Sequence, residues 1–139
     1  MFLTEKELRE MFWKNYNYSK RAVRYQFECG IREGGADLVT IELFQGNYQI
    51  NAFEFKLSDM KRVILQAEAN ASYVNKSWIV VPNEKTEIIR NKYLSYLKGK
   101  GIGVITVEEA GRWNVLQRAT YRENIKMNKE IINLMMKGF

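Results

Sequence analysis

Apolar residues near the start of the chain recur at the spacing of an α-helix. Leu8, Met11 and Phe12 fall on one face of such a helix, which the pattern predicts to end at about Asn15. Residues 4–7, Thr-Glu-Lys-Glu, form a capping-box sequence, in which a threonine hydroxyl and a glutamate carboxylate bond the first free amides of a helix. The chain is therefore predicted to open with an amphipathic helix.

Three stretches then show the alternation of a β-strand, in which successive side chains point to opposite faces. These stretches are residues 23–29, 37–43 and 48–57. A turn-rich interruption at residues 30–35 separates the first two, and Gly46-Asn47 is predicted to form the tight turn before the third. The pattern indicates an antiparallel meander.

The second half of the chain alternates helices with apolar runs. Ser58 or Asp59 is predicted to cap a helix, and the run Trp-Ile-Val-Val at 78–81, ended by Pro82, is typical of a central strand covered on both faces. The further predicted elements are a helix over 84–97, a strand over 103–107, an edge strand over 112–116, and a last helix from the capping box at 120–123 to about residue 137.

This order, α-βββ-α-β-α-ββ-α, favours an α/β fold with a mixed central sheet flanked by helices, because a meander joined to a βαβ crossover combines antiparallel and parallel pairing. A length of 139 residues with 46% apolar content fits one domain over residues 1–139. We expect a cytoplasmic protein without a membrane partner, because no apolar run is long enough to span a bilayer and no signal-peptide core follows Met1.

The composition narrows the chemistry that the chain can perform. There is no histidine and Cys29 is the only cysteine, which excludes Cys/His zinc sites, His-based triads and a Cys–His nucleophile. A metal must therefore be held by oxygen ligands, which favours Mg²⁺ or Mn²⁺. The net charge of +6 favours a polyanionic partner such as nucleic acid, the alternative being a high isoelectric point without a specific partner.

Asp37, Glu54 and Lys56 form the candidate site. On an extended strand Glu54 and Lys56 project from the same face, and pairing through the hairpin would place Asp37 beside Glu54. Two carboxylates can hold Mg²⁺ and a lysine can position the attacking water, as phosphodiester hydrolysis requires. The alternative is an exposed sheet face with an ordinary Glu–Lys pair.

The runs around these residues resemble the PD-(D/E)XK nuclease superfamily, and the resemblance covers about Thr4 to Val107. The runs are Gly-Ala-Asp-Leu-Val at 35–39, Phe-Glu-Phe-Lys-Leu-Ser-Asp at 53–59, Gln-Ala at 66–67 and Trp-Ile-Val-Val-Pro at 78–82. The resemblance implies a restriction-endonuclease-like αβββαβ core.

The resemblance also implies roles for individual residues. Asp37 and Glu54 would bind the metal with the backbone carbonyl of Phe55, and Lys56 would position the water. The remaining implied site residues are Gln66 on the following helix and, as a further acidic ligand, Glu28 or Glu10.

The chain departs from the superfamily pattern at two positions. Ala36 stands where a proline often precedes the aspartate. Asn70 stands where members related to the RecB type have a tyrosine, four residues after the glutamine.

The segment before the first predicted strand interleaves tyrosines with basic residues. These residues are Tyr16, Tyr18, Tyr25, Lys14, Lys20, Arg21 and Arg24. Such a segment could stack on nucleobases or bind phosphates, but packing of the tyrosines at the edge of the core is the commoner use.

The leading hypothesis is a metal-dependent DNA endonuclease acting in repair, recombination or the processing of mobile-element or phage DNA, with RNA still open as a partner. The alternative is a non-catalytic nucleic-acid-binding domain that retains the nuclease fold. A third hypothesis, an interaction domain that forms a homodimer, depends on apolar residues assigned to the last helix, which would otherwise pack on the sheet. These residues are Ile125, Ile132, Met135 and Met136.

Overall fold

Six strands lie side by side in one sheet, in the order in which they occur along the chain. The computed structural model describes residues 1–126 and 128–136. The strands are β1 Ala22–Cys29, β2 Ala36–Phe44, β3 Asn47–Phe55, β4 Lys76–Pro82, β5 Gly103–Val107 and β6 Trp113–Gln117. The α-helices are α1 Glu5–Tyr16, α2 Met60–Ala71, α3 Thr86–Ile88, α4 Leu94–Lys100 and α5 Lys129–Met136.

Hairpin connections make the first three strands an antiparallel meander, as predicted. Gln45 and Gly46 form the turn between β2 and β3 with φ angles of 50° and 82°. Two positive φ angles are characteristic of a type I′ turn, whose twist matches that of the flanking strands. The predicted turn at Gly46-Asn47 is therefore displaced by one residue, because Asn47 already pairs with Phe44 as the first residue of β3.

The centre of the sheet is parallel. β3 pairs with β4 and β4 with β5 in parallel, whereas β6 returns antiparallel to β5. Every residue of β4 is buried except Lys76. This confirms the prediction of a central strand covered on both faces, and the sheet is mixed, with helices on either side.

The helix α1 covers part of one face of the sheet. Thr4 caps it by accepting a hydrogen bond from the amide of Glu7 at 3.1 Å. Leu8, Phe12 and Tyr16 are its buried residues. The sheet residues of the same apolar cluster are Leu38, Phe53, Phe55, Trp78, Val80, Ile105 and Val107. The helix therefore lies over the end of β3 at which the candidate site is expected.

The opposite face is covered by α2, α4 and α5. Asp59, not Ser58, caps α2 by accepting a hydrogen bond from the amide of Arg62 at 3.1 Å. A 3-10 turn at Asn83–Lys85 and a π-helical turn at Ile89–Tyr93 join α3 and α4 into one helical segment, where the sequence predicted a helix over 84–97. No helix of the described ranges 1–126 and 128–136 is long and apolar enough to cross a membrane.

The last helix begins later than predicted. Residues 120–123 form no helix, because their backbone amides are bonded elsewhere: Thr120 donates to the carbonyl of Gly101, and Arg122 donates to the carbonyl of Asn75. The helix begins only at Lys129. Its predicted end near residue 137 lies outside the described residues.

The buried face of α5 also differs from the predicted one. Ile131 and Leu134 are buried in a cluster with residues of β1, β2 and β3. The predicted stripe is wrong for this helix, because Ile132, Met135 and Met136 are exposed and Ile125 precedes the helix. The side chain of Asn128 sets the start of the helix by accepting a hydrogen bond from the amide of Ile131 at 3.0 Å.

Candidate active site

Asp37 and Glu54 form a cross-strand acidic pair at one end of the β2–β3 hairpin. The register pairs Leu38 with Phe53, so the next residues outward, Asp37 and Glu54, stand opposite each other. The amide of Phe55 donates to Asp37 Oδ2 at 2.9 Å, and the amide of Asp37 donates to Glu54 Oε2 at 3.3 Å. The two carboxylates are thus held together by backbone groups, as the hairpin spacing predicts.

Glu54 is deeply buried and only partly satisfied. Its side chain is 1% exposed, and Oε2 accepts a hydrogen bond from Asn70 Nδ2 at 2.8 Å. Arg32 Nη2 approaches the same oxygen at 3.5 Å. The other oxygen, Oε1, is buried and has no hydrogen-bond partner among the residues that the structure describes. A buried carboxylate oxygen without a partner is costly, so this atom marks a place where a positive group is favoured.

Burial makes both carboxylates of the pair costly to ionise. The pKa of Glu54 is raised to about 7, mainly by burial and also by the charge of Asp37, while the Asn70 hydrogen bond and the charge of Arg32 act in the opposite direction. Burial also raises the pKa of Asp37, where the amide of Phe55 acts in the opposite direction and the charge of Glu28 adds to the increase. The pair therefore carries negative charge that the surrounding residues do not fully compensate.

Lys56 follows β3 directly, and its amide continues the pairing with β4 by donating to the carbonyl of Val80 at 3.3 Å. Its ammonium Nζ lies 3.4 Å from a carboxylate oxygen of Glu5 on α1, and the side chain is 20% exposed. The lysine therefore forms its ion pair with the helix above the site and not with Glu54. Among the described residues Lys56 and Glu54 form no ion pair with each other, so the expectation that they act side by side stays a prediction.

A small cleft of about 160 Å³ opens beside the acidic pair. It is lined by Glu5, Lys6, Arg9, Glu28, Asp37 and Phe55. Of the two candidates for a further acidic ligand, Glu28 lies in this cleft, where its carboxylate pairs with Arg9 Nη1 at 3.0 Å. Glu10 instead pairs with Lys6 at 3.9 Å and lines a different cleft. The structure brings Glu28 to the site and not Glu10.

Gln66 is half-buried one helical turn before Asn70, on the same face of α2. The hydrogen bond from α2 to Glu54 comes from Asn70, so the role implied for Gln66 stays a prediction. Asn70 is completely buried. A polar residue within the apolar stripe of a helix was the signal that could have identified it, because a buried amide needs a partner.

Arg32 and Glu5 are the other site residues that sequence reasoning missed. Arg32 Nε donates to Asn70 Oδ1 at 2.6 Å, so the arginine supports Glu54 both directly and through the amide. Glu5 was interpreted only as part of a capping sequence, although it lines the cleft and pairs with Lys56. Neither contact has a signal in local spacing, because each joins separate elements.

The oxygen donors of the pair fit a hydrated divalent cation. Glu54 Oε1 receives no hydrogen bond from the residues described, and Mg²⁺ typically takes one or two protein carboxylates and keeps several waters. The N–H and C=O of an extended residue point to the same side of the strand, so the carbonyl of Phe55 faces the Asp37 strand, as its amide does. No group of three or more His, Cys, Asp or Glu residues in the described part of the chain is arranged to hold a metal.

No family model matches the chain, and no curated protein matches it. Among solved structures, a protein of unknown function from Silicibacter pomeroyi is similar, with a TM-score of 0.63 and 13% sequence identity. The match covers 99% of this chain and 85% of that chain. At this identity the similarity concerns the fold alone: a mixed α/β sheet flanked by helices.

Proposed function

We propose that the chain is a Mg²⁺- or Mn²⁺-dependent nuclease with a restriction-endonuclease-like core that hydrolyses phosphodiester bonds in DNA. One observation carries the proposal. Asp37 and Glu54 stand opposite each other at a strand end, and Glu54 keeps a buried carboxylate oxygen that no described residue contacts by a hydrogen bond. An uncompensated acidic pair of this kind favours a divalent cation.

The roles of the residues follow from their contacts. A bound divalent cation would neutralise charge on the phosphate and lower the pKa of a bound water. Asp37 and Glu54 would hold the cation, and Asn70 and Arg32 orient the Glu54 carboxylate. Lys56, whose ammonium pairs with the cleft residue Glu5, would position the attacking water or stabilise the charge of the transition state. The net charge of +6 supports a polyanionic substrate.

A second candidate function is favoured by Arg32. Its guanidinium is 13% exposed and lies 3.5 Å from Glu54, so it supplies part of the positive charge that a metal would otherwise provide. A domain that uses this arginine as a permanent counter-charge would bind nucleic acid without cleaving it. The two functions differ in their response to metal ions.

A cleavage panel tests the proposal. Branched, duplex and single-stranded DNA would be incubated with the protein in Mg²⁺, in Mn²⁺ and in chelator. Cleavage should require the metal and should be lost in Glu54→Gln and Lys56→Ala. Glu10→Gln is a matched control, because Glu10 is an exposed glutamate that lines a different cleft.

The outcomes separate the two candidates. Cleavage that continues in Glu54→Gln, or that is unaffected by chelator, would contradict the proposal. Salt-sensitive DNA binding with no cleavage and no Mg²⁺ binding in calorimetry would favour the non-catalytic domain. The panel also identifies the form of DNA that is cut.

A further inference from the structure

A second cavity lies on the face of the sheet that carries α1, at the C-terminal end of that helix. Its volume is about 600 Å³, within the range of small-molecule sites. The helix ends at Tyr16, so the part of the sheet beyond it, including Asn51 and Trp78, forms the floor of this cavity. Asn51 and Glu54 point to opposite faces, since they are three positions apart on one extended strand. The Glu54 side chain therefore lies on the other face of the sheet, and the cavity shares no lining residue with the cleft beside Asp37.

The walls of the cavity present flat aromatic and guanidinium surfaces. Tyr16, Trp78 and Trp113 line it. The guanidinium of Arg21 lies 4.8 Å from the ring centre of Trp113 and 5.0 Å from that of Tyr16. Such planes stack on nucleobases without requiring a particular base, because every base has a π-face. The site therefore suits a planar heterocycle.

Buried polar groups line this cavity, which distinguishes it from a packing gap between apolar side chains. Glu42 is 7% exposed, and the hydroxyls of Tyr16 and Thr40 donate to its carboxylate, each at 2.7 Å to Oε2. These bonds hold the carboxylate in place. Its charge on the cavity wall would repel an anion placed deep in the site, so a phosphate belongs at the mouth.

Asn51 provides a donor without an acceptor. Its side chain is 2% exposed, and its Oδ1 accepts a hydrogen bond from Trp78 Nε1 at 3.0 Å, which fixes the orientation of the amide. Its Nδ2 is buried without a hydrogen-bond partner among the described residues. A base carbonyl or ring nitrogen would supply the acceptor that this N–H lacks.

Three cationic side chains, Arg21, Lys76 and Arg118, line the cavity with the single carboxylate of Glu42. Arg21 and Arg118 are exposed, and Lys76 is half-buried. Cations at the mouth and aromatic planes inside match a base that carries a phosphate. Arg21 belongs to the aromatic and basic segment of the sequence to which the proposed nuclease centre gives no role.

We propose that this cavity binds one nucleotide unit, with the base against the aromatic residues of its floor and wall and the phosphate on Arg21 and Arg118. The unit is either a free nucleoside monophosphate or an unpaired nucleotide of a nucleic-acid strand. The binding needs neither the acidic pair nor a metal, so it stands or fails separately from the nuclease proposal.

The indole N–H signals of the three tryptophans provide a local readout in ¹⁵N-labelled full-length protein. The probes are AMP and a short single-stranded oligonucleotide, each titrated in EDTA into the wild type and into Asp37→Asn. Trp78 and Trp113 line the cavity and their signals should shift most, whereas Trp13 does not line it, touches it only through Tyr16, and should shift least.

Charge variants test the phosphate contacts. Arg21→Gln and Arg118→Gln should each weaken binding about five- to tenfold, as expected for the loss of one charge-assisted contact. Arg90→Gln is the matched control, because Arg90 is an exposed arginine of the helical segment on the other face and does not line the cavity.

Shifts of the Trp78 and Trp113 signals with AMP would assign the cavity to a free nucleotide, and shifts with the oligonucleotide alone would assign it to a strand. Either result supports the proposal if Arg21→Gln and Arg118→Gln also weaken the binding of that probe. The proposal is overturned if neither probe shifts these signals, or if Arg90→Gln weakens binding as much as Arg21→Gln does. Equal binding by wild type and Asp37→Asn would show that the site is independent of the acidic pair.

Discussion

The raised pKa of Glu54 predicts that this residue makes the protein less stable as the pH rises. Its pKa is raised from 4.5 to about 7 in the folded chain. Below about pH 4.5 the carboxyl is protonated in both states and contributes no pH-dependent difference. Between about pH 4.5 and 7 the unfolded chain loses the proton while the folded chain keeps it, so folding is increasingly penalised. Above about pH 7 both states are ionised and the penalty stays constant.

The size of the penalty follows from the same values. Each pKa unit corresponds to about 1.4 kcal/mol, so an increase from 4.5 to about 7 costs about 3 kcal/mol of folding free energy at high pH. Glu54→Gln removes the titration, and a glutamine carbonyl can still accept the hydrogen bond from Asn70. The substitution should therefore stabilise the protein relative to the wild type by about 3 kcal/mol more at pH 8 than at pH 4.5.

Urea unfolding in EDTA at several pH values measures this difference, with Glu10→Gln as the control because Glu10 is exposed. Asp37→Asn should remove the Coulombic part of the effect, so the pH at which Glu54 titrates should move down without reaching the value of an exposed glutamate. A stability difference between wild type and Glu54→Gln that does not change from about pH 5 to pH 8 would refute the reasoning.

Three further predictions follow from other contacts. Saturating Mg²⁺ should raise the melting temperature of the wild type more at about pH 8 than at pH 5, since protons compete for Glu54 at the lower pH; an equal shift at both pH values would contradict this. Asn70→Ala should raise the pKa of Glu54, because it removes a hydrogen bond to the ionised carboxylate. Urea unfolding at several pH values measures this pKa, and a value equal to that of the wild type would contradict the prediction. Gly103→Ala should destabilise the fold by about 1–3 kcal/mol in thermal unfolding, because an added Cβ would lie 2.3 Å from the Trp78 ring and 2.8 Å from the backbone nitrogen of Ala119; an unchanged stability would contradict this.

Local signals in the sequence were sufficient for most of the fold. The helical spacing after Thr4, the alternation in β1–β3 and the apolar run of β4 each depend on side chains within one element. The same holds for the pairing of Asp37 with Glu54, because a short hairpin determines which residues stand opposite each other.

Contacts between distant elements could not be predicted in this way. The capping box at residues 120–123 has the correct local pattern, yet the amides of Thr120 and Arg122 bond carbonyls on other parts of the chain, and the helix begins later. A local preference of about 1 kcal/mol for a cap is outweighed when the same amides find tertiary partners and the segment packs elsewhere.

The sequence by itself determined the order of the elements and the identity of the acidic pair. It also limited the side chains that could hold a metal to oxygen ligands, because the chain has no histidine and one cysteine. Only the tertiary structure decided which residues complete the site: Asn70 contacts Glu54, Glu28 reaches the cleft where Glu10 does not, and Lys56 turns to Glu5. The physical reason is that the cost of a buried charge depends on the groups around it in space, and these come from a helix, a loop and a strand far apart in the chain.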